Sequence, residues 1–310
     1  MNQRQRAFRV GIAGILAGAA LLACGCKRDV PETPPPAMAA TAPGASPAPA
    51  SAPSSGPASV TGAASAMPAH PGAGATMVNS VGMKFLHIPP GEFRMGSDPA
   101  EPGRHDDETA HDVKITRGFW IAATEVTQAQ WQKVIGSNRS EPKGENLPAS
   151  RLSWPQAVEF CRKLSQAEGR TYRLPTEAQW EYACRSGSGG PYSGGKLDEV
   201  AWHMDNSGEA PHEVAGKKPN AWGLYDMHGN AAEWCRDLYQ RDLGSAPAVD
   251  PAGPAEAASS ARVVRGGSWG HFARACRGAA RASFNPAYPL ERVGLRVIIE
   301  PKSPNPSSNP

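Results

Sequence analysis

The sequence predicts an α+β fold, and two observations carry that prediction. Three capping boxes stand ahead of apolar residues at helical spacing, all early in the globular region. Short apolar and alternating stretches are scattered before and after them. Helices gathered early with strands spread around them suggest α+β rather than a regular alternation.

The chain opens with Arg4, Arg6 and Arg9, followed by the short apolar run Val10 to Ala23. A bilayer span takes about 20 residues, so residues 1–23 read as a secretory signal peptide. Leu21-Leu22-Ala23-Cys24 resembles a bacterial lipobox. Cleavage before Cys24, or alternatively Cys26, would leave a thiol for acylation, and more than one acyl chain is needed for stable anchoring. Gly25 rather than Asp follows Cys24, which by the usual sorting rule points to the outer membrane, with the domain on its periplasmic side.

Residues 24–76 are Ala, Pro, Ser and Gly with few large apolar side chains. Such a segment cannot bury enough surface to offset its ordering entropy. At about 3.1 Å per residue in polyproline geometry, it could hold a domain on the order of 100 Å from a membrane. Residues 301–310 read as a similar tail. Without the three arginines of the leader, 32 basic residues fall to 29, equal to the 29 acidic ones. A neutral chain has no general field to gather phosphates, so no nucleic-acid partner is expected.

Residues 77–300 are long enough for one domain with a substantial core. Gly91 to Ser97 alternates apolar and polar residues and reads as a strand. Asp98 to Asp112 is acidic, holds His105 and His111, and reads as a solvated loop. Val113-Lys114-Ile115 and Phe119-Trp120-Ile121 read as a strand pair. Thr127, Ser153 and Thr176 each precede a glutamine by three residues and open the helices. Trp131, Val134 and Ile135 face inward on the first, Ala157, Cys161 and Leu164 on the second, Trp180, Ala183 and Cys184 on the third. Ser186 to Pro219 is loop-rich. Arg262 to Trp269 reads as a strand entering a tight turn, and Gly294 to Ile299 as a closing strand.

Asn220 to Asp237 organises the chain. Asp226 and Glu233 bracket Gly229, which can take backbone angles that other residues avoid. Such a loop can fold carboxylates and carbonyls around one hard cation, since calcium takes about 6–8 oxygen ligands. The plainer alternative is a polar turn.

Several long motifs together resemble one family. They are Ile88-Pro89-Pro90-Gly91-Glu92-Phe93-Arg94-Met95-Gly96-Ser97, Glu125-Val126-Thr127-Gln128, Tyr172 to Ala183, Asn220 to Asn230, Arg265-Gly266-Gly267-Ser268-Trp269, Arg277 to Arg281 and Gly294-Leu295-Arg296. In this order over residues 77–300 they resemble the formylglycine-generating enzyme, or sulfatase-modifying factor, family. The resemblance implies a modified C-type-lectin-like fold with little regular structure. It also implies a structural calcium held by the Asp226 side chain, the Gly229 and Ala231 carbonyls and the Glu233 carboxylate.

The oxidase chemistry of that family carries over poorly. Its oxidases hold copper with two cysteines just past the Gly-Gly-Ser turn, and copper(I) prefers soft thiolates. Here those positions fall near Gly270 or His271 and near Ala273, with Cys276 beyond both. Copper is therefore not expected. Ser268, His271 and Cys276 remain as weak catalytic candidates, and Ala232 stands where many relatives carry an aromatic residue. His87, His105, His111, His203, His212, His228 and His271 form no compact triad for an iron-dependent branch. Four cysteines in an exported domain suggest disulfides. The expected pairs are Cys235 with Cys276 and Cys161 with Cys184. Cys184 with Cys276 is the alternative, because oxidase relatives tie those regions together.

The expectation is a lipid-anchored, calcium-stabilised, monomeric factor that binds or matures a protein or peptide partner in the envelope. Its cleft lies near Ser268, Trp269, His271 and Arg281, where the family binds its substrate peptide. The alternatives are an oxidase with Cys276 and His271 as ligands, and a structural lipoprotein of an envelope complex.

Overall fold

The structure is a computed structural model that describes residues 75–257 and 259–300. Cys24, Cys26, residues 1–74 and the tail from 301 lie outside the described residues, so the leader, anchor and spacer expectations do too.

In chain order the domain runs β1 (Thr76–Val78), β2 (Lys84–Ile88), β3 (Gly91–Met95), β4 (His111–Ile115), β5 (Phe119–Ala122), α1 (Gln128–Ile135), α2 (Trp154–Glu168), β6 (Tyr172–Arg173), α3 (Glu177–Arg185), α4 (Leu197–Val200), β7 (Ala232–Leu238), β8 (Ala248–Val249), β9 (Arg262–Arg265), a 3-10 turn (Ala273–Cys276), β10 (Ala282–Phe284), β11 (Val293–Gly294) and β12 (Ile298–Ile299). β1 takes in Thr76, which composition alone assigns to the spacer.

The capping boxes form the helices they predict. Thr127 accepts the Gln130 backbone N–H at 3.2 Å and Gln130 Oε1 accepts the Thr127 N–H at 3.0 Å. The same exchange joins Thr176 and Gln179 at 3.1 Å in both directions. Each cap satisfies N–H groups that have no partner inside the helix. α1 and α2 meet through Trp131 and Phe160, stacked at 5.3 Å. Their apolar faces build one core cluster with Cys161, Leu164, Trp234, Leu295 and Val297. Trp180, Ala183 and Cys184 of α3 build a second with Ile121, Leu224, Cys235 and Ile298.

Three sheets result, ordered β1-β2-β5-β12-β6, β10-β9-β7-β11 and β3-β4-β8. The expected pairing of Val113–Ile115 with Phe119–Ile121 does not form. β4 pairs antiparallel with β3, and β5 with β2 and β12. The link between them is turned by Asp250, whose Oδ1 accepts the Thr116 N–H at 2.8 Å and whose Oδ2 binds the Thr116 hydroxyl.

The closing strand is also split. β11 runs parallel to β7, whereas β12 joins β5 and β6, so the chain crosses between sheets at Leu295-Arg296-Val297. That crossing carries Arg296 into the interior, fully buried.

The Asp98 to Asp112 segment is not simply solvated. Buried Glu108 and partly buried Glu101 both bind Arg277, at 2.6 to 2.8 Å, and His111 is buried on β4. Paired carboxylates can be buried where lone ones cannot.

Candidate functional site

The loop from Asn220 to Glu233 is fastened at its entry by Asn220. Its Nδ2 donates to the carbonyls of Ala183 and Cys184 at 2.8 and 3.1 Å, and its Oδ1 accepts from Trp222 and Leu224. This ties the loop to the end of α3. Asp226 and Asn230 then take left-handed angles, φ 58° and 60°. The sequence reading assigned such angles to Gly229, which does not adopt them. Gly229 is required for space instead: a Cβ there would stand 2.2 Å from the Trp202 carbonyl oxygen.

His228 points inward and neutral. Its Nε2 accepts the Ser193 N–H at 2.9 Å, so Nδ1 carries the proton and donates to the Cys276 carbonyl at 2.9 Å. Burial pushes its pKa down to about 4.

The carboxylates implied as calcium ligands behave differently from one another. Glu233 is fully engaged: Arg296 binds both oxygens at 2.9 to 3.1 Å, and Trp180 Nε1 donates to Oε2 at 2.7 Å. Asp226 accepts the Ala215 N–H on Oδ2 at 2.7 Å, while its buried Oδ1 has no partner. Glu125, which the sequence reading passed over, accepts the Ala231 N–H on Oε1 at 3.2 Å, and its buried Oε2 has no partner either. Burial, then the charge of Asp226, raises the Glu125 pKa well above the usual carboxylate range. The signal in the sequence was a charge among apolar neighbours, Ala122-Ala123-Thr124-Glu125-Val126; Arg296, between Leu295 and Val297, carried the same signal. Among the described residues, no three His, Cys, Asp or Glu side chains converge to hold a metal. Any cation here would take its remaining oxygens from the backbone. Asp226 keeps one oxygen without a partner, whereas both Glu233 oxygens are bonded to Arg296 and Trp180.

At the Gly-Gly-Ser turn, Gly266 and Gly267 take φ 94° and 69°, angles open to glycine. Ser268 is fully buried, with Oγ 2.8 Å from His271 Nδ1 and accepting the Gly270 N–H at 3.4 Å. Burial, then Arg292, lowers the His271 pKa. Cys276 is buried against the turn, where a Cβ on Gly267 would come within 2.6 Å of its sulfur. Burial pushes its thiol up to about 12, so it is not a thiolate at neutral pH.

The expected disulfides are not formed, because all four cysteines are free and buried. Cys161 packs in the first core cluster and Cys184 in the second, which separates that pair. Cys235 belongs to the second cluster, whereas Cys276 is held at the turn. The alternative pair is interrupted by His228, whose Nε2 lies 3.7 Å from the Cys184 sulfur while its Nδ1 binds the Cys276 carbonyl.

Arg281 is likewise unavailable for a substrate. It binds Glu177 at 2.6 and 2.9 Å and the Asp107 carbonyl at 2.8 Å, with 2% of its side chain exposed. Trp269 is half-buried, with the Arg292 guanidinium 4.5 Å over its ring.

The cleft beside the Gly-Gly-Ser turn is small. Its cavity of about 80 Å³ is bordered by His105, Gly267, His271, Ala275 and Phe284. That is well below the roughly 300–1,000 Å³ of small-molecule sites. A larger cavity, about 780 Å³, shares no lining residue with it and is bordered by Phe93, Asp98, Tyr182 and Trp222.

The Sulfatase-modifying factor enzyme 1-like domain matches residues 75–301. The chain belongs to the sulfatase-modifying factor family. The Chaperone protein LppX of Paenibacillus barcinonensis is 31% identical to it, over 49% of this chain and 69% of that protein. The Formylglycine-generating enzyme of Streptomyces coelicolor is 30% identical, over 74% and 92%. Among solved structures, Treponema denticola variable protein 1 is 30% identical, with a TM-score of 0.66 over 73% of this chain and 99% of that one. The fold is that of the sulfatase-modifying factor family, mixed helix and strand with modest regular structure.

Proposed function

We propose that this sulfatase-modifying-factor domain binds an extended segment of a partner protein rather than oxidising a cysteine. The observation that carries this reading is the environment of Cys276. It is the one cysteine beside the Gly-Gly-Ser turn, it is buried, and it is protonated at neutral pH. A copper dithiolate needs two accessible thiolates, and residues 270, 271 and 273 are Gly, His and Ala. The small cleft also leaves little room for a small-molecule cofactor. Exposed Phe284 borders it, 37% accessible, as an apolar contact for such a segment. The relative whose name is Chaperone protein LppX agrees with a binding role.

The envelope address, the lipid anchor at Cys24 or Cys26 and a monomeric state belong to this reading. So does a structural calcium at the Asp226 loop, with Asp226, the Gly229 and Ala231 carbonyls and Glu233 as the ligand set that the resemblance implies. Its role would be to hold a loop-rich region together.

The test incubates the purified chain with copper(I), oxygen and a cysteine-bearing sulfatase-motif peptide. No aldehyde is expected by mass spectrometry. Stoichiometric conversion would overturn the binding reading in favour of an oxidase using Cys276 and His271.

A further inference from the structure

Two buried carboxylate oxygens, Glu125 Oε2 and Asp226 Oδ1, have no hydrogen-bond partner. Both side chains are at least 98% buried, being 0% and 2% exposed. Leaving an ionised carboxylate oxygen buried and unpaired is costly, so such an atom marks a missing partner. Glu125 Oε1 accepts the Ala231 N–H at 3.2 Å, which sets this carboxylate against the loop that carries Asp226, and the charge of Asp226 acts on it. The vacant oxygens therefore belong to one locus.

The cationic side chain that faces these carboxylates is already engaged. Arg296 is the guanidinium facing this group, and its N–H groups are directed to Glu233, the Ala122 carbonyl at 2.8 Å and the Tyr225 carbonyl at 2.7 Å. Three carboxylates, Glu125, Asp226 and Glu233, thus face one cation, and that cation is spent on Glu233. The imbalance is confined to the Glu125 and Asp226 pair.

We propose that Glu125 is a calcium ligand of this chain, acting with Asp226 in the position that the resemblance gives to Glu233. This rests on the calcium reading above and changes its ligand set. The donors are all oxygen, which suits a hard cation. With no third His, Cys, Asp or Glu converging, backbone carbonyls complete the shell, as calcium commonly allows. Glu125 sits two residues before the cap of α1, and its Oε1 already holds the Ala231 N–H. A cation between Glu125 and Asp226 would therefore tie the entry of α1 to the 220–233 loop.

The test measures calcium binding by titration calorimetry on chelator-treated full-length chain, with the thermal midpoint read with and without calcium. The wild type is expected to bind near one calcium and to melt several degrees higher with it. Glu125→Gln is expected to weaken binding at least tenfold and to lose the calcium-dependent rise. Glu125→Asp, which keeps the charge but shortens the reach, covers the case in which the glutamine variant does not fold; it too is expected to lose at least tenfold. Wild-type affinity in either variant overturns the role of Glu125 and returns the site to Glu233. A wild type that binds no calcium overturns the calcium reading itself, and the inference with it.

Discussion

Arg296 grips Glu233 through Nε and Nη2 at 2.9 to 3.1 Å, and neither residue is exposed to solvent. One lies in the crossing between β11 and β12 and the other on β7, so the pair joins the end of the chain to the central sheet. Removing one partner of a buried pair leaves an uncompensated charge and costs about 3–5 kcal/mol. Arg296→Met is expected to lose that much in urea unfolding, because it leaves Glu125, Asp226 and Glu233 without the cation they face. Glu233→Gln with Arg296→Met is expected to recover part of it. A single-variant cost below about 1 kcal/mol would show that the pair contributes little.

Asp237 gives the fold a pH dependence. It is buried and accepts the Glu177 N–H at the start of α3 at 3.0 Å. Burial, then the Glu177 charge, raises its pKa to about 7. The folded state therefore holds a proton that the unfolded chain releases near pH 4. Its contribution is present below about pH 4 and is lost as pH rises towards 7, at up to about 1.4 kcal/mol per unit. His228, held neutral, acts in the opposite sense below about pH 6.5. The difference between wild type and Asp237→Asn isolates the aspartate. Between pH 5 and 8 the variant is expected to lose less stability than the wild type; parallel curves would refute the assignment.

The four domain thiols are expected to be silent in the native state. Burial raises the pKa values of Cys161, Cys184 and Cys276 to about 12 and that of Cys235 well above the usual thiol range. Maleimide labelling followed by peptide mapping should find none of the four modified in the folded protein and all four modified in denaturant without reductant. Protection that persists in denaturant until reductant is added would reveal a disulfide.

Gly229 is expected to tolerate no side chain. Alanine there must push the Trp202 carbonyl away from 2.2 Å, and that carbonyl also accepts the Asn230 N–H at 2.8 Å. Gly229→Ala is expected to cost about 1–3 kcal/mol or more, as overpacking does. Gly136→Ala is the contrast. It has open space around the Cβ and is limited by its φ of 84° alone, so a smaller loss is expected.

The two glycines show how far sequence alone reaches. Gly136 ends α1 with a left-handed φ of 84°, and helix termination by glycine is local chemistry that residue order carries. The need for Gly229 was not legible in that way, since it arises from Trp202, which is 27 positions earlier in the chain. The same division runs through the site. Asp226 was legible from its motif, while the engagement of Glu233 by Arg296 and Trp180 was not.

By itself, the sequence determined what depends on neighbours along the chain. Capping boxes at Thr127 and Thr176, helical periodicity and the glycine turn at residues 266–267 all formed where residue order placed them. The family followed from the order of its motifs. Tertiary structure alone decided which charges are spent on each other. Arg281 goes to Glu177, Arg277 to Glu108 and Arg296 to Glu233, across 104, 169 and 63 positions. It also decided that Cys161 and Cys184 point into different cores. A buried charge must find its counter-charge wherever folding brings one, and sequence spacing does not encode that distance.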